Sequence, residues 1–367
     1  MSSMTAEPLL CSTVEESLAR LAAFEPAIFP VLSVYLNNEP DQHGRATDAT
    51  PYLHREFKAL ARAFAPGSPE LQSFERDAAK IVSFATDNIE PAAHGVALFA
   101  CWGAGEFFEA IQLTSPFAEN HVSADYQPHL YLLTELDERY PRYAAVLADS
   151  NTARIFVIGL GHVIGAEHVS GKKVHRVKVG GWSQARYQRR AGNAHHEHAK
   201  EVVERLAQIV RDEGIGHIVL AGDQVVIPLL LEQLPKELIP LTQVMKLDIH
   251  ASDTDVLTAT LGRLQLQEAG TAAEKAERLL RQYRARGLAV VGLQETLDAL
   301  IAGQVDELLI SGGMDESREL VETGQLAPMP DLLVTKARQT GAVVTFIEDA
   351  ALLESVGGAG GFLRWRS

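Results

Sequence analysis

The chain has 367 residues, a formal net charge of -15, 46% hydrophobic residues and 22% charged residues. That length exceeds one ordinary core and suits two or three domains of about 100 to 150 residues each, and the composition excludes a disordered chain. Only Cys11 and Cys101 are present, which excludes a disulfide framework or a cysteine-based metal cluster, and the acidic balance excludes indiscriminate nucleic-acid binding, because phosphate is repelled except at a local basic surface.

Glu7 precedes the first apolar pair, and no run of about 18 apolar residues lacks a charge. The expected compartment is therefore the cytoplasm, with no membrane partner. The first strand is expected over 31–36, followed by a polar loop over 37–45 punctuated by Pro40 and Gly44. Helices are expected over 52–65 and 69–86, then strands over 95–100 and 107–113 joined through Gly103-Ala104-Gly105. These elements make a mixed α/β N-terminal domain, residues 1–139.

From Tyr143 three closely spaced strands are expected, over 143–148, 153–158 and 163–169, with turns at Asp149-Ser150-Asn151 and Gly159-Leu160-Gly161. That pattern is an antiparallel meander. Between Gly171 and Arg190 the chain then carries seven Lys/Arg and no Asp or Glu: Lys172, Lys173, Arg176, Lys178, Arg186, Arg189 and Arg190. Without those seven cations the remaining residues sum to -22, the contrast that steers one patch toward a phosphate backbone. Gly180-Gly181 permits positive φ and close backbone approach to a ligand. From Ser183 the pattern is helical, with Ala199, Val202, Val203, Leu206, Ile209 and Val210 at the spacing of one buried face. A basic loop mounted on a long helix is the expectation.

An almost wholly apolar strand over 216–221 and a helix over 225–234 follow. A helical run over 253–286 has Gly270 as a break and a domain boundary near it. Beyond come a strand at 290–292, a helix over 293–302, a strand over 305–310, a helix over 331–340 and a strand over 343–347. The alternation predicts a compact α/β/α layer with a largely parallel sheet. His195-His196-Glu197-His198 does not have the spacing of a zinc-binding His-Glu-x-x-His helix and reads as a solvated face. Ser183 lacks the glycine frame of a nucleophile elbow, since Ala185 stands at its last position.

The basic run, Gly180-Gly181 and the step through Ser183 and Gln184 to Arg186-Tyr187 resemble the catalytic loop of the archaeal and eukaryotic class I peptide chain release factors. More closely, the chain resembles a bacterial relative of that family, related to pelota. With Ser183, Arg186 and Tyr187 aligned on the family's serine, arginine and aromatic, Trp182 stands where the family has glutamine, and the nearest glutamine is Gln184. The Asn-Ile-Lys-Ser codon-reading sequence does not occur in the chain. The order of strands and helices over 140–264 is similar to the ribonuclease-H-like central domain of that family. The segment 292–311 resembles the start of its third domain and the terminal Gly357 to Arg366 that domain's last strand, which implies an α/β/α sandwich similar to kink-turn-binding ribosomal proteins, here 265–367.

The resemblance implies a ribosome-associated peptidyl-tRNA hydrolase or rescue factor that is not stop-codon-specific. Gly180, Gly181 and Gln184 would be catalytic. Lys172, Lys173, Arg176, Lys178, Trp182, Arg186, Tyr187, Arg189 and Arg190 would bind RNA. The implied partners are the ribosome and tRNA, with ribosomal RNA near the peptidyl transferase centre, and a translational GTPase; DNA, metal and cofactor are not implied. The alternative is a ribosome-binding hibernation or translation-silencing factor that cuts nothing. A metabolic α/β protein whose basic loop takes a small phosphorylated ligand is the third reading of the same residues.

Overall fold

A computed structural model describes residues 14–25, 28–40, 48–170, 182–312, 314, 318–320 and 326–366. The fold is mixed α/β. It divides into two compact units, one of residues 1–139 with 268–367 and one of residues 140–267.

In chain order the first unit begins with α1 (Val14–Ala22), β1 (Val31–Asn37), α2 (Thr50–Leu60), α3 (Pro69–Asp87), β2 (Gly95–Cys101), β3 (Phe107–Leu113), β4 (His121–Asp125) and α4 (Tyr131–Arg139). Its sheet has the order β3-β2-β1-β4, antiparallel throughout. The period-2 alternation of β1 explains its burial. Leu32, Val34 and Leu36 face Leu53 and Phe57 of α2 and Phe74 and Ile81 of α3, while Tyr35 turns to Phe99 and Phe117, packing edge-on. Serine at the N-cap of α3, Ser68, accepts the Leu71 N–H at 3.1 Å, the usual satisfaction of an orphan first-turn donor.

The second unit carries β5 (Tyr143–Ala148), β6 (Thr152–Gly159), β7 (His162–Ser170), α5 (Trp182–Asp212), β8 (His217–Gly222), α6 (Val226–Gln233), β9 (Thr242–Met245) and the first half of α7 (Asp253–Arg284). Its sheet order is β7-β6-β5-β8-β9. The first three strands form the antiparallel meander read from the sequence, and β8 and β9 are added parallel to β5, the ribonuclease-H-like arrangement. Both faces of β5 and β8 are covered, which is why those two strands read as continuous apolar runs. Ala144, Val146, Ile155, Ile218 and Leu220 pack toward α5 and α6, whereas Tyr143, Leu147, Phe156 and Val219 pack toward Val256 and Leu264 of α7.

The rest of the first unit holds the second half of α7, β10 (Ala289–Val291), α8 (Leu293–Ile301), β11 (Val305–Ser311), β12 (Arg318–Leu320), β13 (Leu326–Pro328), α9 (Met329–Thr340), β14 (Val343–Ile347), α10 (Ala351–Glu354) and β15 (Ala359–Leu363). Two sequence expectations are corrected. Helix α7 runs unbroken through Gly270, since a helical glycine costs only about 1 kcal/mol and buried Ala272, Ala276 and Leu279 hold the following turns. The sheet, ordered β10-β15-β11-β14, is mainly antiparallel: β15 enters between β10 and β11 against both, and only β11 and β14 are parallel. Buried Asp331 of α9 accepts the Leu130 and Tyr131 N–H groups at 2.6 and 3.0 Å. Tyr131 donates to the Ser311 carbonyl at 3.0 Å. Through these bonds the start of α4 joins the C-terminal elements.

Candidate functional site

The basic segment departs from β7 and returns as α5. Lys172, Lys173, Arg176, Lys178, Gly180 and Gly181 lie outside the described residues. For Trp182, Gln184, Arg186, Tyr187, Arg189 and Arg190 the helical backbone of α5 is described, and their side chains lie outside the description. The strand that precedes the segment and the rest of α5, from Gly192 on, are described with their side chains.

The first support is the edge strand β7. Its last pair is Thr152 with Ser170, and two positions back Arg154 pairs with His168. The turn beside that pair is closed by Asp149, whose carboxylate accepts the Asn151 and Thr152 N–H groups, each at 2.6 Å. Arg154 is pinned below it, donating to the Asp253 carboxylate at 3.0 Å and to the Ile249 and Ala251 carbonyls at 3.1 and 2.6 Å. A cavity of about 220 Å³ opens here, lined among others by Asp149, Thr152, Arg154, His168, Ser170 and His250. The segment therefore leaves the sheet from a braced corner.

The second support is α5, 31 residues and so about 46 Å long at 1.5 Å per residue. Among its described side chains the buried face runs from His198 and Ala199 through Val202, Val203, Leu206, Ile209 and Val210. Residues 192–197 ahead of that face are exposed or half-exposed, so the apolar anchor holds the C-terminal half of the helix. The helix begins at Trp182, immediately after Gly180-Gly181. A helix start offers unbonded N–H groups and the positive end of the macrodipole, both suited to an anion.

A fork joins the two supports. Arg205 of α5 donates through Nε and Nη2 to the two carboxylate oxygens of Glu167 on β7, each at 2.5 Å. The bonds from Arg205 hold the Glu167 carboxyl below the usual carboxylate range, and Glu167 in turn raises the guanidinium. Both side chains are partly exposed, so the fork sets geometry more than stability. Arg154, Asp149, Glu167 and Arg205 were not anticipated from the sequence. The one available signal was a lone Arg154 inside an apolar strand.

His198 departs from the solvated-face reading of the histidine run. It is buried, and neither ring nitrogen has a hydrogen-bond partner among the described residues. His195 is half-buried and His196 exposed. Among the described residues no group of His, Cys, Asp or Glu is arranged to hold a metal ion, and no helix is long and apolar enough to cross a membrane.

Residues 128–265 match the model of bacterial archaeo-eukaryotic release factor family 10, and residues 271–367 match eRF1 domain 3. No curated protein matches the chain. Solved structures with a similar chain course include the archaeal translation termination factor aRF1, at 16% identity over 96% of this chain and 98% of that one, TM-score 0.27. Archaeal Pelota in a model of the ribosome-bound protein with ABCE1 is 13% identical over 96% and 94%, TM-score 0.44. Dom34 of S. cerevisiae, described as a translation termination-like factor interacting with Hbs1, is 10% identical over 74% and 79%, TM-score 0.43.

Proposed function

We propose, from the premise that the chain belongs to the bacterial archaeo-eukaryotic release factors, that it associates with the ribosome and hydrolyses the peptidyl-tRNA ester there, as a rescue factor without stop-codon reading. The observation that carries this is the acid-free run of seven cations around Gly180-Gly181, suspended between β7 and the start of α5 within the matched residues. The glycines let the loop enter a narrow RNA-walled site. Gln184, by its carboxamide or its backbone N–H, orients water against the ester carbonyl. Lys172, Lys173, Arg176, Lys178, Arg186, Arg189 and Arg190 neutralise phosphates, and Trp182 and Tyr187 stack on bases. The loop holds no carboxylate to act as base, so positioning is the protein's contribution. A translational GTPase is the further partner this reading expects, and the protein acts in the cytoplasm.

The test is single-turnover release of peptide from stalled ribosomes and from free peptidyl-tRNA, with Gln184→Ala and Gly181→Ala beside the wild type. The reading expects release by wild type and its loss in both variants; wild-type release no faster than buffer in either format removes the hydrolase. Trp182 at the glutamine position favours a second reading, a hibernation or silencing factor that occupies the tRNA site without cutting. That occupant keeps its effect on translation after Gln184→Ala.

A further inference from the structure

The turn between β2 and β3, residues 102–106, is held far more firmly than a surface turn requires. Two buried side chains of α3, one helical turn apart, grip its backbone. Asp77 Oδ2 accepts the Trp102 N–H at 3.0 Å, and Ser73 Oγ accepts the Gly103 N–H at 3.0 Å while its hydroxyl lies 3.4 Å from the same Asp77 oxygen. Gly103 rests against Phe29 so closely that a Cβ would fall 2.1 Å from the ring. Gly105 and Glu106 then close the turn at φ of 76° and 61°. Every residue from Trp102 to Glu106 is constrained by a bond, a contact or a left-handed backbone, Ala104 through its backbone bond to the Cys101 thiol.

What this frame presents is an indole. Trp102 is 38% exposed, and the Arg76 guanidinium carbon lies 3.9 Å from its ring centroid. Arg76 is exposed, projects from between Ser73 and Asp77 on α3, and among the described residues is paired with no carboxylate. Its guanidinium thus lies over one face of the indole, so a ligand meets the rest of the ring and the guanidinium donors at its edge. Lys80, one turn further along α3 and about 6 Å away by helix rise, sits 4.5 Å from the Phe108 ring centroid. Glu106 is the acid in the turn itself.

An acidic peptide would use only the cations of this arrangement, and an apolar peptide only the indole. A nucleotide uses both, because it carries a π-face and a phosphate a few ångströms apart, and a rigid platform loses little entropy when it binds one. We propose that Trp102 and Arg76 form a stacking site for one unpaired nucleotide of an RNA strand, with the base on the indole and the phosphate held by Arg76 and Lys80. The choice of RNA over other nucleotides rests on the ribosomal function proposed above; the site itself lies outside the residues that match either family model.

The experiment uses the full chain with Trp182→Phe and Trp365→Phe, which leaves Trp102 as the sole tryptophan. A mixed-sequence RNA hexanucleotide is titrated while Trp102 emission and the anisotropy of the labelled RNA are read together, with inorganic polyphosphate and poly-glutamate as the comparison polyanions. Saturable quenching by RNA and none by the comparison polyanions is expected. Arg76→Ala should weaken it about tenfold, and Trp102→Ala should weaken the anisotropy-measured affinity by a similar factor, the scale of one stacked base. Because the clamp grips backbone while the indole is only 38% exposed, Trp102→Ala should lower the thermal midpoint by a few degrees and leave the chain folded. RNA binding by anisotropy with unchanged Trp102 emission overturns the inference and leaves the function of the basic loop standing. Equal quenching by poly-glutamate or polyphosphate also overturns it. Quenching that persists after Lys172, Lys173 and Lys178 are reversed to glutamate supports it whether or not the protein releases peptide.

Discussion

Replacing Asp77 separates two opposed effects of burying its carboxylate. Burial pushes the group up from 3.8 to about 6, against the bonds from Trp102 N–H and Ser73 that lower it. The folded state therefore binds the proton more tightly than the unfolded chain. For an acid raised in this way, the folded protein holds more protons between pH 3.8 and about 6, so stability falls as pH rises through that window. The loss is on the order of 3 kcal/mol for about two pH units at 1.36 kcal/mol each. The carboxylate also satisfies the Trp102 N–H, and leaving that buried donor alone costs about 1 to 3 kcal/mol. Asp77→Asn keeps an acceptor and removes the charge, so it should stay within about 1 kcal/mol of wild type near pH 4.5, early in the window, and exceed it by about 3 kcal/mol near pH 8. Asp77→Ala should lose about 1 to 3 kcal/mol near pH 4.5 and come close to wild type near pH 8, where the two effects offset. Denaturant unfolding followed by Trp102 emission at both pH values measures this. If Asp77→Ala is destabilised equally at the two pH values, the charge of Asp77 carries no penalty in the fold and the reasoning is wrong.

Reversing Lys172, Lys173 and Lys178 to glutamate should weaken ribosome or RNA binding and flatten its salt dependence, which otherwise falls at roughly 0.7 to 0.9 log units per phosphate contact; unfolding midpoints should stay in place, and an unchanged salt slope refutes the loop as the RNA-facing element. Gly222, at φ of 130° with its Cβ position 1.9 Å from the Ala148 carbonyl oxygen, should tolerate no side chain. Gly222→Ala should destabilise the chain by at least about 3 kcal/mol, whereas Gly262→Ala, in the helix α7 with open space around it, should gain about 0.5 to 1 kcal/mol; denaturant midpoints that rank the two the other way refute this account.

The middle of the 140–267 sheet was legible because two of its strands obey one rule along their whole length. Tyr143 to Ala148 and Ile218 to Ala221 are apolar at every position since helices cover both faces, and the 199–210 face repeats at helical spacing. The C-terminal sheet was less so. Gly360 and Gly361 of β15 carry no apolar pattern, and each owes its place to close approach: a Cβ would fall 2.8 Å from Leu279 Cδ2 at one and 2.9 Å from Val305 Cγ1 at the other. A strand defined by how near its neighbours come, and not by what it buries, gives no periodic signal. Polar clamps are illegible for a related reason. Ser73, Asp77 and Asp331 have the composition of helix surface, and only pairing with backbone groups 25 to 201 residues away distinguishes them.

That difference bears on how the two elements proposed to meet RNA would work. The basic run announces itself because affinity for a polyanion is additive in charge and needs no fixed geometry, so composition alone encodes it. The Trp102 platform is encoded the opposite way, in a single aromatic whose neighbours in sequence are unremarkable and whose orientation is set by two buried side chains from another element. A charge run attracts a strand from a distance, about 10 Å at ordinary salt, while a stacked ring acts only on contact. On an acidic chain, the proposed roles would have the first gather the nucleic acid before the second selects where along it the protein rests. High salt should therefore abolish association through the loop before it weakens stacking at Trp102.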